Sequence, residues 1–279
     1  LFRILLLMAF TYFFFHLHAS GNITKYINMK YAYLSYSAIF IFALLTAIQA
    51  YTYFKTPEDG DCETNCCHHD HHHDKPSSLG RFLLSCVFIY PLIAGFFFPI
   101  AKLDSTIVKA KGFTFQNIEN SGEFSRNQYL MPDTSVYYGK EGHYDLMHEE
   151  LKKYSKQASI QLNDVNYLKT LETIYQFPGE FTDKTIQFDG FAFKGESINK
   201  NQIFVLRFGI IHCIADSGVY GMLVELPEEV KLKDDEWVQV KGTLSTIYYQ
   251  PFKSEIPYLK AESWKKINEP KDPYVYRGY

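Results

Sequence analysis

Residues 31–54 read YAYLSYSAIFIFALLTAIQAYTYF, and residues 82–101 read FLLSCVFIYPLIAGFFFPIA. Neither stretch contains Asp, Glu, Lys, Arg or His. As a helix rising 1.5 Å per residue, the first spans roughly 36 Å, against a bilayer hydrocarbon core of about 30 Å. The second carries Pro91 and Gly95. Those residues weaken a helix in water but are tolerated in a membrane helix whose neighbours compensate. One such run would suit the buried helix of a large soluble domain. Two, each bounded by charged segments, predict helices that cross a membrane.

Ahead of them, Arg3 precedes an apolar run from Ile4 to Phe15, and His16, His18 and Ser20 follow. A short basic start and an apolar core also suit a secretory signal. Leu17, however, sits where a cleavage site wants a small residue, so a retained first helix is expected. Three helices would place the two chain ends on opposite sides. The basic residues do not choose the sides: Arg3, Lys55, Lys75 and Arg81 stand against Lys25, Lys30, Lys102, Lys109 and Lys111. Tyr31, Tyr33, Tyr36, Tyr51 and Tyr53 fit aromatic belts at both interfaces. Ion carriers and pores usually place ionisable groups at mid-membrane. Their absence from both clear spans makes the helices an anchor, or a packing surface for another membrane protein. The expected location is the cell membrane, multi-pass.

Residues 55–81 join the second and third helices and read KTPEDGDCETNCCHHDHHHDKPSSLGR. Pro57, Gly60 and Pro76 mark an irregular loop. Cys62, Cys66, Cys67, His68, His69, His71, His72 and His73 offer thiolate and imidazole ligands. These suit zinc and other late transition metals. Asp59, Asp61, Glu63, Asp70 and Asp74 surround them and can orient ligands. The spacing is not that of a closed structural zinc site, and the donors exceed what one tetrahedral ion needs. The loop therefore reads as a multi-site binder of zinc or another divalent transition metal, weakening as acid protonates its imidazoles. The plainer alternative is a solvated loop with no dedicated role.

Beyond Lys102 the composition turns polar and charged. The whole chain carries 28 Lys+Arg against 31 Asp+Glu, a net charge of -3, which gives no electrostatic case for nucleic acid. Five cysteines, three of them in the loop, are too few and too clustered for a disulfide-stapled fold. Three regions are expected: a transmembrane module over 1–102, a linker and mixed α/β region over 103–180, and a β-rich soluble domain over 181–279. A short helix is expected over Asp145–Gln157. Asn163 would cap another, with Val165, Leu168, Leu171, Ile174 and Tyr175 as its apolar face. From Phe181 the pattern is strand. Ile186 to Phe193, Ile203 to Ile211, Gly221 to Leu226, Trp237 to Tyr249 and Ile256 to Trp264 are short runs bent at glycines. Five such strands predict a small closed barrel of the OB type, with an immunoglobulin-like sandwich as the alternative.

The chemically densest stretch is RFGIIHCIADSGVYG, residues 207–221. His212, Cys213 and Asp216 gather a base, a thiol and a carboxylate at a strand end. They would supply three metal ligands if the turn folds back, with His143 or His148 completing the set. Neighbouring residues on a regular strand face opposite sides, so a His-activated cysteine would need a bend there. The structural alternative packs Cys213 as a small apolar group, ties His212 at the strand edge and uses Asp216 to cap the turn. An alternative for Arg207 is a pairing with Glu225 or Asp216 across the sheet.

Three segments carry a resemblance: FFFHLHASGNITKYINMKY at 13–31, YPLIAGFFFP at 90–99, and residues 207–221. Through them the chain resembles the YcgQ-type family of bacterial membrane proteins, whose members are often labelled subunits of a two-component membrane permease complex. That resemblance covers the whole chain. It implies a non-enzymatic accessory subunit, a larger multi-span permease as partner, and a link to zinc supply. Many members carry a Cys-Cys pair where this chain has His212-Cys213, so two ligand-type residues are kept with altered chemistry. No glycine-rich ATP-binding motif is present, so energy for transport would come from elsewhere. The competing functions are a membrane-anchored thiol or metal enzyme centred on His212, Cys213 and Asp216, and an envelope scaffold outside transport.

Overall fold

The computed structural model describes residues 1–55, 78–98, 102–111, 135–195, 199–229, 231–250 and 254–278. The chain divides into two compact units, Leu1–Ala101 and Lys102–Tyr279.

The first unit is helical: α1 (Phe2–Ala19), α2 (Ala32–Lys55) and α3 (Ser78–Phe97). Phe2 joins the apolar run, which gives α1 18 residues and the length to cross a membrane. Helix α2 and the short 3₁₀ turn before it form a second candidate span over Met29–Lys55. In α3 the apolar part runs over Ser85–Phe97, and Pro91 lies inside the helix. Aromatic rings bind the helices. Phe42 of α2 stacks on Phe10 and Phe14 of α1 at centroid distances of 5.6 and 6.0 Å, and Phe96 of α3 meets Phe13 edge-on at 5.3 Å. A Cβ on Gly95 would run into the Phe13 ring, so the missing side chain is what admits that ring. The α1–α2 connection is pinned where Asn28 accepts from the Lys30 N–H at 3.1 Å, and where the His18 Nε2 lies 2.8 Å from the Ser35 hydroxyl. Large apolar side chains such as Phe40, Leu44 and Val87 point outward, as helices solvated by lipid require.

The second unit holds a barrel of five strands: β2 (Thr185–Phe193), β3 (Gln202–Ile210), β4 (Gly218–Glu225), β5 (Trp237–Tyr249) and β6 (Ser254–Lys266). Around the barrel the order is β2-β5-β6-β4-β3, and β3 pairs back onto β2 to close it. The β4–β6 pair is parallel, and the other four barrel pairs are antiparallel. This is the expected closed OB-type barrel rather than a sandwich. Closure is brief, because β2 and β3 pair only over Phe191–Phe193 and Phe204–Leu206. Gly190 stands beside that seam, and a Cβ there would strike the Leu206 carbonyl.

Alternation along the strands creates two cores. Ile186, Phe188, Val205, Met222, Val224, Val240 and Leu244 fill the interior, together with Leu168, Leu171 and Ile174 of α6 (Tyr167–Gln176). Phe204, Leu206, Phe208, Ile210, Val219 and Leu223 form a second cluster on the opposite face of β3 and β4. Tyr249 and Ile256 of the β5–β6 hairpin join it, as do Tyr274 and Val108, the last from α4 (Ser105–Lys111). Strand β3 is consequently buried along its whole length. Helix α4 is tied to the barrel by Lys109 on Asp234 at 2.6 Å and by the Ser105 N–H on Asp235 at 2.8 Å.

Helix α5 (Ser135–Tyr154) is longer than the expected Asp145–Gln157. Two strands escaped the sequence reading: β1 (Ser159–Gln161), parallel to β2, and β7 (Val275–Tyr276), parallel to β3. Each is too short to carry a period. Val165 is 79% exposed and lies before α6 begins, so it is not part of that helix's apolar face. A Gly190→Val substitution is expected to destabilise the chain by about 1–3 kcal/mol through overpacking at the seam. Urea unfolding of the detergent-solubilised protein, followed by tryptophan fluorescence, measures this.

Candidate functional site

The loop donors Cys62, Cys66, Cys67, His68, His69, His71, His72 and His73 lie outside the described residues. The described part offers two polar centres, both on or next to β3.

The first is the turn after β3. The Asp216 carboxylate folds back and accepts from the His212 N–H at 3.1 Å and the Cys213 N–H at 2.9 Å. Its Oδ2 also lies 2.7 Å from the His212 Nδ1. One carboxylate thus closes a 3₁₀ turn over Ile214–Asp216 and fixes the imidazole. His212 and Asp216 are brought together through side chains, whereas Cys213 meets Asp216 through its backbone N–H. His148 lies on α5 against Tyr144 and Phe177, with ring centroids 4.3 and 4.8 Å away. Among the described residues, no group of three or more His, Cys, Asp and Glu side chains is disposed to hold a metal ion.

The second centre is Arg207, whose side chain is fully buried. Neither Glu225 nor Asp216, the alternative partners raised above, is its partner. Register places Arg207 opposite Tyr220, while Glu225 faces Gln202 at the far end of the β3–β4 pair. Asp216 is turned to His212 instead. The guanidinium lies 2.6 Å from Asp164, in the segment leading to α6, and 3.8 Å from Asp189 on β2. It also donates to the backbone carbonyls of Asp272, Pro273 and Tyr274 at 3.3–3.4 Å. The rings of Tyr167 and Trp237 lie 5.4 and 5.5 Å from the guanidinium carbon, within cation–π range. A second buried pair joins the C-terminal segment to α6: Arg277 donates to Glu172 at 3.0 Å. The one signal in the sequence was a lone arginine inside the apolar run IFVLRFGII, which a buried strand accepts only with several acceptors.

Burial raises the pKa of Asp189. The Arg207 charge opposes that shift and the Asp164 charge adds to it. Burial likewise pushes the Tyr167 phenol far up, with Arg207 partly offsetting it. Burial also disfavours ionisation of Asp234, but its bonds to Lys109 and to the Lys194 N–H outweigh that, and its pKa is lowered.

An OB barrel usually presents its second and third strands, here β3 and β4, to ligands. In this chain that face is occupied by the second core. The arrangement defines a class: an OB barrel with its usual binding face filled, attached to a bundle of apolar helices. Residues 2–114 match the DUF1980 N-terminal domain and residues 137–277 the DUF1980 C-terminal domain. The chain belongs to the DUF1980 family. It is 57% identical to the "UPF0703 protein YcgQ" of Bacillus subtilis (strain 168), over 100% of both chains. It is 34% identical to a Streptococcus mutans serotype c (strain ATCC 700610 / UA159) protein named "Putative two-component membrane permease complex subunit", over 99% of both chains. With these relatives and its apolar helices, the chain is a multi-pass membrane protein.

Truncating Arg207 to Ala is expected to cost about 3–5 kcal/mol, since it strands Asp189 and three carbonyls in a buried site. Asp164→Ala, whose side chain is 73% exposed, is expected to cost under about 1 kcal/mol. Equal effects in urea titrations would contradict this account of the centre. The raised pKa of Asp189 has a definite sign. Its contribution to stability is present below the unfolded value of 3.8 and is lost as pH rises through the higher folded value. Asp189→Asn is expected to remove that loss, read as a flatter midpoint-against-pH curve above pH 4.

Proposed function

We propose that this protein is a non-enzymatic accessory subunit of a membrane permease complex, and that its loop handles or senses a divalent transition metal, zinc being the expected ion. The observation that carries the first half is the similarity, over 99% of both chains, to a protein named as a subunit of such a complex. The helices support it. Residues 31–54 and 82–101 contain no Asp, Glu, Lys, Arg or His, so a translocation path belongs mainly to a multi-span partner. The apolar residues facing outward on α2 and α3 suit both lipid and partner helices.

The second half rests on composition. Five histidines and three cysteines fall within residues 62–73. The ligands are imidazole and thiolate, so affinity should fall as pH drops through about 6.5. The tied geometry of His212 and Asp216 gives that turn a structural role in this reading.

Affinity purification of the tagged chain in mild detergent, followed by mass spectrometry and metal analysis, tests both halves. The expected outcome is recovery of a multi-span membrane protein with the full-length chain, with zinc bound. Deletion of residues 58–75 is expected to remove the zinc and keep the partner. A chain that purifies alone, with metal content unchanged by the deletion, would overturn the proposal. Activity lost in a Cys213→Ser variant with its partner still bound would instead favour an enzyme.

A further inference from the structure

The parts that cover the second core are held with unequal strength. The β5–β6 hairpin continues a ladder of the barrel itself. The C-terminal segment is held by Arg207 and by the β3–β7 pair. Helix α4 has neither kind of tie. Val108 is its one fully buried apolar side chain, with Leu103 and Ile107 partly buried against the same cluster. Ser105 donates its N–H and its hydroxyl to Asp235 at 2.8 and 2.6 Å. Lys109 reaches Asp234 at 2.6 Å from a side chain that is 59% exposed. A helix of seven residues does not persist in water by itself, so α4 is helical because it is docked. Few buried contacts and an exposed ion pair are the marks of a segment that opens below the cost of global unfolding.

Two further features concern what lies beneath. Both polar ties end on neighbouring residues of one turn, and Asp234 also accepts from the Lys194 N–H at 3.0 Å, just past the end of β2. The turn therefore acts as a single clip. The covered face also carries a cost. Gln202 alternates with Phe204, Leu206 and Phe208 on the outward row of β3. It is 2% exposed, and neither atom of its amide has a hydrogen-bond partner among the described residues. An amide buried in that way is unfavourable, so the row gains whenever water reaches it. This is the face on which OB barrels meet ligands, and it is aromatic: Phe191 stacks on Phe208 at 5.5 Å, and the Lys109 ammonium lies 6.0 Å from the Phe193 ring centre.

We propose that α4 is a strap across this face, clipped by Asp234 and Asp235, and that it lifts while the strands of the barrel stay folded. Closed, it shields Phe193 and its neighbours; lifted, it leaves them facing water. In chain order α4 is the first element after α3, so a pull passed along that connection acts on the strap before any strand. The device does not depend on the permease reading.

Hydrogen exchange of the full-length protein in detergent, resolved by peptide mass spectrometry, tests this. Residues 102–111 are expected to exchange at least about tenfold faster than β3. Ser105→Ala with Lys109→Gln should speed exchange over 102–111 by about fivefold or more and leave β3 and β5 unchanged. Val108→Ala should act in the same way by removing the one buried anchor. Exchange over 102–111 as slow as over β3 in the unaltered protein would overturn the proposal. So would variants that speed α4 and β3 by the same factor, since the helix would then open only with the whole barrel.

Discussion

A guanidinium that cannot reach water organises the soluble unit. Arg207 projects from the middle of an apolar strand, and removing a charge from water without acceptors is prohibitively costly. The acceptors come from three separate parts of the chain: Asp164 ahead of α6, Asp189 on β2, and the carbonyls of residues 272–274. Satisfying one side chain thus fixes the position of the helix that plugs the barrel and of the C-terminal segment beside β3. Arg277 and Glu172 repeat the connection between that segment and α6. The weakest point of a five-stranded barrel is the pair that closes it, and here that pair is three residues long. The polar cluster lies beside this short seam and reinforces it.

The second consequence is a barrel with its binding face turned into core. Phe204, Leu206, Phe208 and Ile210 alternate with the interior residues of β3, so the strand is apolar on both sides. Such a strand must be covered twice. The β5–β6 hairpin, Tyr274 and α4 supply the second cover. The helical unit follows a different rule. Its ring-to-ring contacts and the space left by Gly95 draw the helices together without any need to hide their outward apolar residues.

Much of this was legible in the order of residues. The uncharged runs declared the membrane helices, because their lengths match a bilayer and no other environment tolerates two of them so readily. Five strand runs with glycine bends declared the barrel. Residues 163 to 175 declared a helix, although Val165 falls outside it. The short strands β1 and β7 were not legible, since two or three residues hold no period and form only where a neighbouring edge is open. Helix α5 was read short because its first half, SVYYGKEGHY, is polar and glycine-containing.

The sequence by itself determined the chemistry available: a donor-rich loop, uncharged helices, and a His-Cys-x-x-Asp turn following a buried strand. Tertiary structure decided who meets whom. Arg207 found Asp164 and Asp189 rather than Glu225, and Asp216 closed on His212, because strand register and a folded-back turn set those distances. Local periodicity carries information over a few residues. The partners of Arg207 lie 18, 43 and about 65 residues away in the chain, and only the closure of the barrel brings them within reach.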